Sequence, residues 1–166
     1  NIRFHLTYID YLYQQRKWLA GDAMTLADIA ASPYVRELVE PLLTENRRVA
    51  GVMKQRARCE RGVVTYDLAD DRFPSPNKFI PYSLFPDCHY VVGVSSLPGR
   101  SKISVGSNPW YAGRRTANIA AICARYGGGG HPVVGAVSLA AGQLEKARQL
   151  AAEIAAELRD AAEKER

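Results

Sequence analysis

Four consecutive glycines at residues 127–130, followed by His131 and Pro132, constrain the fold of this chain more than any other feature. The preceding residues 116–126 have apolar side chains at helical spacing, and the following residues 133–139 are rich in valine. The predicted order is therefore helix, glycines, strand. Glycine loops of the Rossmann and P-loop type follow a strand and open a helix. The sequence does not support either kind of nucleotide site.

Two interpretations of the glycine run remain. A glycine in the left-handed conformation routinely ends a helix, so the structural interpretation is a C-terminal cap. Four glycines, however, lose more backbone entropy on folding than a cap requires. The functional interpretation is a surface where successive backbone N–H groups form an anion-binding nest, with His131 at its edge as a donor or stacking ring. We favour the functional interpretation.

The distribution of charge also favours an anionic ligand. The chain has 22 Lys and Arg against 17 Asp and Glu, a net charge of +5, yet no acidic residue lies between residues 88 and 144. A carboxylate there would repel an anion at close range. The alternative is that this stretch is simply the apolar half of the core. The stretch does contain Arg100, Lys102, Arg114, Arg115, Arg125 and His131.

The predicted elements indicate an α/β (α+β) fold, in which a helical N-terminal segment precedes a small mixed β-sheet flanked by helices and a long C-terminal helix. A turn at residues 97–99 joins the second and third strands as a hairpin. Residues 78–85 fit either a helix or a strand. Helices are predicted over residues 2–19, 25–31, 32–58, 116–126 and 143–164, and strands over residues 63–68, 89–95, 101–105 and 133–139.

We expect residues 1–58 to be a helical connector and residues 59–166 to be a substrate-binding α/β domain. The basic residues of 47–61 are interpreted as a solvated helix face rather than a nucleic-acid contact. Because the chain begins at Asn1 within a predicted helix, we expect it to be a piece of a longer protein.

The three cysteines and the hydropathy indicate the cellular compartment in which we expect the protein. The cysteines are widely spaced, without a Cys-x-x-Cys pair, and so predict neither a disulfide framework nor a zinc site. No apolar stretch is long enough to predict a membrane span. We therefore expect reduced thiols and a cytoplasmic protein.

Several segments together resemble a known family. They are Asn118-Ile119-Ala120, Arg125-Tyr126 with the glycines and His131-Pro132, Val134–Val137, Val63–Leu68, Asn77-Lys78-Phe79, Tyr82–Pro86, Val91–Val94 and Ser104-Val105-Gly106. Over residues 45–166 the chain resembles the C-terminal substrate-binding domain of DHH-family phosphoesterases. That family includes single-strand exonucleases, nanoRNases and phosphatases of nucleotides or cyclic dinucleotides.

The resemblance implies a set of substrate-binding residues, because in that family the glycine–histidine loop and nearby basic residues hold the phosphate and nucleotide. The weaker additions to this set are Ser104 and Asn108. The implied residues are Arg100, Lys102, Arg114, Asn118, Gly128, Gly129, Gly130 and His131.

The family cleaves its substrates with two metal ions, usually manganese, which a separate N-terminal domain holds through Asp and His residues of an Asp-His-His motif. Neither Asp-His-His nor Asp-x-Asp occurs here. We therefore predict no catalytic residue, metal ligand or cofactor in this chain. Manganese and the chemistry are expected in a catalytic DHH domain, which would be the partner of this one.

Three functional hypotheses follow. The favoured one is a binding module for a nucleotide or a short single-stranded nucleic acid, with no membrane partner, in which Trp110, Tyr111 or Tyr126 stacks on a base. The final helix would be a packing element or the contact of a homodimer. The second is a metal-dependent hydrolase complete in this chain. The third is a glutathione-transferase-like helical or interaction protein, because residues 16–31 resemble the helical C-terminal half of that family but lack a glutathione-binding half.

Overall fold

The computed structural model describes residues 26–71, 73, 77–113 and 116–165, with side chains from residue 41 onward. By its contacts the chain divides into two compact units, Asn1–Arg47 and Arg48–Arg166. The second unit contains the whole β-sheet. The predicted helix over residues 2–19 and most of the glutathione-transferase-like stretch lie outside the described residues, and the domain limits at residue 58 stay a prediction.

The first described helix, α1, spans Leu26–Arg56 without interruption. It begins one residue after the predicted start, but the predicted break at Ser32-Pro33 is wrong, because the helix continues through Pro33 and Pro41. Proline has a φ that suits a helix, and its cost of about 3 kcal/mol comes mainly from one lost hydrogen bond and a steric contact with the preceding turn. In a long helix the remaining hydrogen bonds offset that cost.

The centre of residues 48–166 is a six-stranded mixed sheet in the order β1-β2-β3-β4-β6-β5. Strands β2 and β3 are parallel and the other neighbours are antiparallel. The predicted α/β class, the mixed sheet and the β3–β4 hairpin are confirmed. The strands are β1 (Arg58–Glu60), β2 (Val63–Asp67), β3 (Tyr90–Leu97), β4 (Arg100–Ser107), β5 (Gly129–His131) and β6 (Val134–Ala140).

Two helices cover one face of this sheet. They are α3 (Ile119–Arg125) and α4 (Leu144–Lys164), both close to their predicted limits. Side chains of a strand point alternately to opposite faces, so Ile103 and Val105 of β4 join the core beneath these helices. The apolar stripe of α4 is buried in this core, so it is a packing surface: Ala147, Ala151, Ile154, Ala155, Leu158 and Ala162.

The described residues cover the opposite face of the sheet only in part. Val49 and Met53 of α1 and Ile80 and Tyr82 of the short helix α2 (Ile80–Leu84) pack over β2 and β3. The ambiguous residues 78–85 are therefore mainly helical. The same face of β4 and β6 lies beyond this cover and is the floor of the site described below.

A buried carboxylate ties three segments together just after α4. The side chain of Glu165 is 0% exposed and accepts hydrogen bonds from His89 Nδ1 (3.0 Å), Tyr90 Oη (2.5 Å), and the backbone N (2.6 Å) and Oγ1 (2.8 Å) of Thr116. Burial alone would raise the pKa of Glu165, but these hydrogen bonds outweigh it and lower the pKa. Glu165 is therefore ionised at neutral pH.

Two further observations concern the environment of the chain. Cys88 and Cys123 are buried, whereas Cys59 is exposed. Within the described residues, none of the helices combines the length and apolar character needed to cross a membrane.

Candidate functional site

The part of the sheet that the described helices leave open forms the floor of a hollow of about 840 Å³, which we call the basic hollow. Its volume lies within the roughly 300–1,000 Å³ of small-molecule sites. Strands β4, β5 and β6 form its floor, and the residues before α2, together with Tyr66 and Tyr82, form a wall. Arg100, Lys102 and Ser104 are among the residues of β4 that line it, and they share one face because they alternate with buried residues.

The pairing of the strands explains why the floor of the basic hollow carries few large side chains. Residues paired across the sheet lie side by side on one face, and one such row runs through Gly129, Ala136, Ser104 and Gly93. Each of these has a small side chain or none. The ring of Tyr66 lies over Gly93, so open space remains above the part of the row formed by Gly129, Ala136 and Ser104. Lys102 projects beside this space from the same face.

The basic hollow carries positive charge without carboxylates. Among the described residues that line it there is no Asp or Glu, whereas Lys78, Arg100, Lys102 and His131 are present. Five described arginines outside the hollow pair with carboxylates: Arg56 with Asp71, Arg61 with Glu163, Arg125 with Glu157, Arg148 with Asp67 and Arg159 with Glu60. Within the described part of the chain, Arg100, Lys102 and His131 form no such pair. An anion in the hollow would supply the missing countercharge.

The glycine run divides into two parts with different roles. Gly127, at φ +75°, donates its N–H to Ala124 O (3.1 Å), and Gly128 donates to Cys123 O (2.9 Å). This pair of bonds is a Schellman cap that ends α3. The structural interpretation is thus confirmed for the first two glycines. Residues Gly129–His131 form a strand rather than a loop, and their contact with a ligand stays a prediction.

Packing requires glycine at two positions of the run but not at a third. A Cβ at Gly128 would lie closer than 3.0 Å to Ala136 O, and one at Gly130 would meet Val134 O in the same way. At Gly129 nothing lies within 4 Å of the position a Cβ would take. Gly129 lines the basic hollow, so its missing side chain leaves the floor accessible.

The structure brings together five of the eight residues that the resemblance implied: Arg100, Lys102, Gly129, Gly130 and His131 line the basic hollow. Gly128 belongs to the helix cap, and Asn118 is the N-cap of α3, where its Oδ1 accepts from the N–H of Ala121 (3.1 Å). Arg114 lies outside the described residues. Of the weaker additions, Ser104 lines the basic hollow, whereas Asn108 is fully buried and is not part of its lining.

Sequence reasoning missed Tyr66 and Tyr82, whose rings lie against glycines of the sheet. A Cβ at Gly93 would overlap the ring of Tyr66, and one at Gly106 would overlap the hydroxyl of Tyr82. Burial raises the pKa of Tyr66 to about 12 and also raises that of Tyr82. Both hydroxyls are therefore neutral and add no negative charge to the hollow. Glycines inside strand patterns were the signal available, because they mark a close approach of another group.

The described residues do not fit a metal centre. Among them no three His, Cys, Asp or Glu side chains come together as a group that could hold an ion. His89 is bound to Glu165 in the interior, whereas His131 lies on β5. The manganese ions that the resemblance implies therefore have no donor set in the part of the chain described by the structure.

Solved structures share this fold, and two of them show the similarity to the chain. One is PggH, a pGpG-specific phosphodiesterase from Vibrio cholerae, with a TM-score of 0.55, 22% sequence identity, and coverage of 78% of this chain and 43% of that chain. The other is an exopolyphosphatase-related protein from Bacteroides fragilis, with a TM-score of 0.51, 14% identity, and coverage of 71% and 36%. A DHH domain described as a member of the s1p family of ribosomal proteins gives a TM-score of 0.42, which is too low to establish a shared fold.

Neither a family model nor a curated protein matches the sequence. The chain spans less than half the length of PggH and of the exopolyphosphatase-related protein. At these identities the similarity establishes the fold alone. The chain therefore has the α/β fold of a domain found in a phosphodiesterase and in an exopolyphosphatase-related protein.

Proposed function

We propose that residues 48–166 form the nucleotide- and phosphate-binding domain of a DHH-family phosphoesterase. One observation carries this proposal: Arg100, Lys102 and His131 converge on a hollow whose described lining has no carboxylate and whose floor is kept open at Gly129. One solved structure with this fold is a pGpG-specific phosphodiesterase and another is an exopolyphosphatase-related protein, so the names of both proteins refer to molecules with phosphate groups. The sequence resemblance points the same way.

The chemistry of the side chains suits a phosphate group. A guanidinium presents paired N–H donors that match two phosphate oxygens, and an ammonium group acts as a compact point charge. Arg100 and Lys102 supply one of each from the same face of β4. The neutral Tyr66 and Tyr82 and the apolar Val91 form low-dielectric walls, which strengthen the attraction between these cations and a bound anion.

Under this proposal the domain binds and orients the substrate, and hydrolysis depends on metal ligands of a separate catalytic domain. Two-metal hydrolysis requires several convergent carboxylates around the ion pair. The described residues provide no such group. The partner domain, and manganese within it, are therefore part of the proposal.

The charge of the hollow is tested by titrating a labelled, 5′-phosphorylated short oligonucleotide into the wild-type protein and Lys102→Ala at two salt concentrations. A hydrogen bond to a charged group contributes about 1.5–3 kcal/mol, so Lys102→Ala should weaken binding at least about tenfold. Its affinity should also depend less on salt, since one phosphate contact is lost. Lys146→Ala is the matched control, because Lys146 is an exposed lysine of α4 on the other side of the sheet.

The open floor is tested separately with Gly129→Val. Valine is favoured in strands, and its Cβ would meet nothing within 4 Å, so the unfolding temperature should stay close to that of the wild type while affinity falls. Gly51→Ala is the control, since its added Cβ also meets nothing within 4 Å. The proposal is wrong if the wild-type protein does not bind the oligonucleotide, or if Lys102→Ala and Gly129→Val bind it as the wild type does.

A further inference from the structure

A second hollow of about 440 Å³ adjoins the first, and we call it the aromatic hollow. The two hollows share Asn77, Phe79 and Tyr82 in their walls. Among the described residues that line it, none is charged. The lining residues are Asn77, Phe79, Ile80, Tyr82, Ser83, Pro86, Asn108 and Trp110.

The aromatic hollow presents a large ring to solvent. Trp110 is 67% exposed, the highest value for any large apolar side chain among the described residues, and Phe79 is 44% exposed. Their ring centroids lie 5.7 Å apart in an edge-to-face arrangement, and Tyr82 meets Trp110 in the same way at 6.2 Å. Three aromatic rings therefore form one cluster whose outer member is left open.

The backbone beneath Trp110 is firmly held. Asn108 is 0% exposed, accepts the N–H of Trp110 at 3.0 Å, and donates from Nδ2 to Pro86 O (2.8 Å) and Cys88 O (2.9 Å). Its own backbone N–H donates to His89 O at 2.8 Å. A fully buried amide thus fixes the backbone of the segment that carries the exposed Trp110 ring.

The other two aromatic residues considered for base stacking are engaged elsewhere. Tyr111 stacks on His89, with centroids 3.9 Å apart and planes inclined by 29°. Tyr126 is half-buried and packs against the core beneath α3 and α4. Of the three, Trp110 is the ring that faces a hollow.

We propose that the aromatic hollow binds a nucleobase of the same ligand whose phosphate contacts the basic hollow. This inference rests on the proposed function and narrows it, because the ligand is then a nucleotide or oligonucleotide rather than a bare polyphosphate. Every base has a π-face that can stack on tryptophan without sequence preference. The shared wall at Phe79, with Lys78 Nζ 5.1 Å from its ring centroid, places a cation where the two parts of such a ligand meet.

The test compares a 5′-phosphorylated dinucleotide with inorganic tripolyphosphate as ligands of the full chain. Trp110→Ala should weaken dinucleotide binding about tenfold, within the range that loss of a stacked aromatic produces, and leave tripolyphosphate binding unchanged. Leu42→Ala is the control, because it also removes an exposed apolar side chain, 63% exposed, from α1. The dinucleotide should also quench the fluorescence of the wild type but not of Trp110→Phe, in which Trp18 remains.

The outcomes separate this inference from the proposed function. If Trp110→Ala binds the dinucleotide as the wild type does, or loses both ligands equally, the nucleobase site is wrong. The proposed function then still stands, provided that Lys102→Ala loses both ligands. If the wild-type protein binds neither ligand, the proposed function fails and the nucleobase site fails with it.

Discussion

Replacing Glu165 by Gln should strongly destabilise the domain, although it removes one oxygen and one charge. In the folded state Oε1 accepts from Tyr90 and from two donors of Thr116, and Oε2 accepts from His89. Hydrogen bonds to a charged group contribute about 1.5–3 kcal/mol each and neutral ones about 0.5–1.5 kcal/mol. Three bonds that each weaken by about 1 kcal/mol give a loss of about 3 kcal/mol. The fourth is kept if the imidazole exchanges its tautomer and accepts from the new amide.

Thermal unfolding followed by circular dichroism measures this loss. For a chain of this size, 3 kcal/mol corresponds to a decrease of about 10 °C in the unfolding temperature. Glu163→Gln is the control, because Glu163 pairs with Arg61 at the surface, where such pairs contribute at most about 1 kcal/mol. Equal unfolding temperatures for Glu165→Gln and Glu163→Gln would refute the assigned role of the buried carboxylate.

The same carboxylate predicts a pH dependence. Because the pKa of Glu165 is lower in the folded state than in the unfolded chain, the folded state binds fewer protons and gains stability from the charge. That stability is fully present above the ordinary glutamate pKa of about 4.3 and is lost as pH falls through the folded-state pKa. The difference in unfolding free energy between the wild type and Glu165→Gln should therefore be constant from pH 7 to about 5 and shrink below about 4.

Two further predictions concern the glycine run and the thiols. Gly128→Ala and Gly130→Ala should each lower the free energy of unfolding by about 1–3 kcal/mol, because the added methyl group overlaps a carbonyl oxygen. Gly129→Ala should leave the free energy of unfolding within about 1 kcal/mol of the wild type. Chemical denaturation measures these values, and equal losses at all three positions would contradict the packing described. In the native protein a thiol reagent should modify the exposed Cys59 rapidly. It should modify Cys88 only on unfolding, because Cys88 is buried and burial raises its pKa to about 12. Rapid modification of Cys88 in the native protein would contradict its burial.

Sequence patterns predicted the elements whose signals are local. The alternation in residues 101–105, the turn before them and the apolar stripe of α4 each lie within one segment, and all three were confirmed. Strands β1 and β5 were missed because each has only three residues and forms by pairing with a neighbouring strand. A pattern of three residues carries too little periodicity to distinguish a strand from a loop or a helix end.

The candidate site was predicted in part for a similar reason. The acid-free stretch and the family resemblance pointed to Arg100, Lys102 and His131, and the fold gathers them in one hollow. Charge is a property of the residue itself, so it can be read from the sequence. Tyr66 and Phe79 form walls of the hollow because the ring of Tyr66 contacts Gly93 and that of Phe79 contacts Trp110 in the folded chain. These residues are distant in sequence, so no local pattern predicts the contacts.

The position of β5 at the edge of the sheet has a consequence for how affinity is set. Among the described strands this three-residue strand pairs with β6 alone, and its residues are exposed. Edge segments of this kind open by local unfolding at a lower free energy than central strands do. A ligand that contacts Gly129 or His131 binds only molecules in which β5 is closed, so its apparent affinity includes the cost of closing the strand. Slower amide hydrogen exchange in β5 is therefore an expected signature of ligand binding.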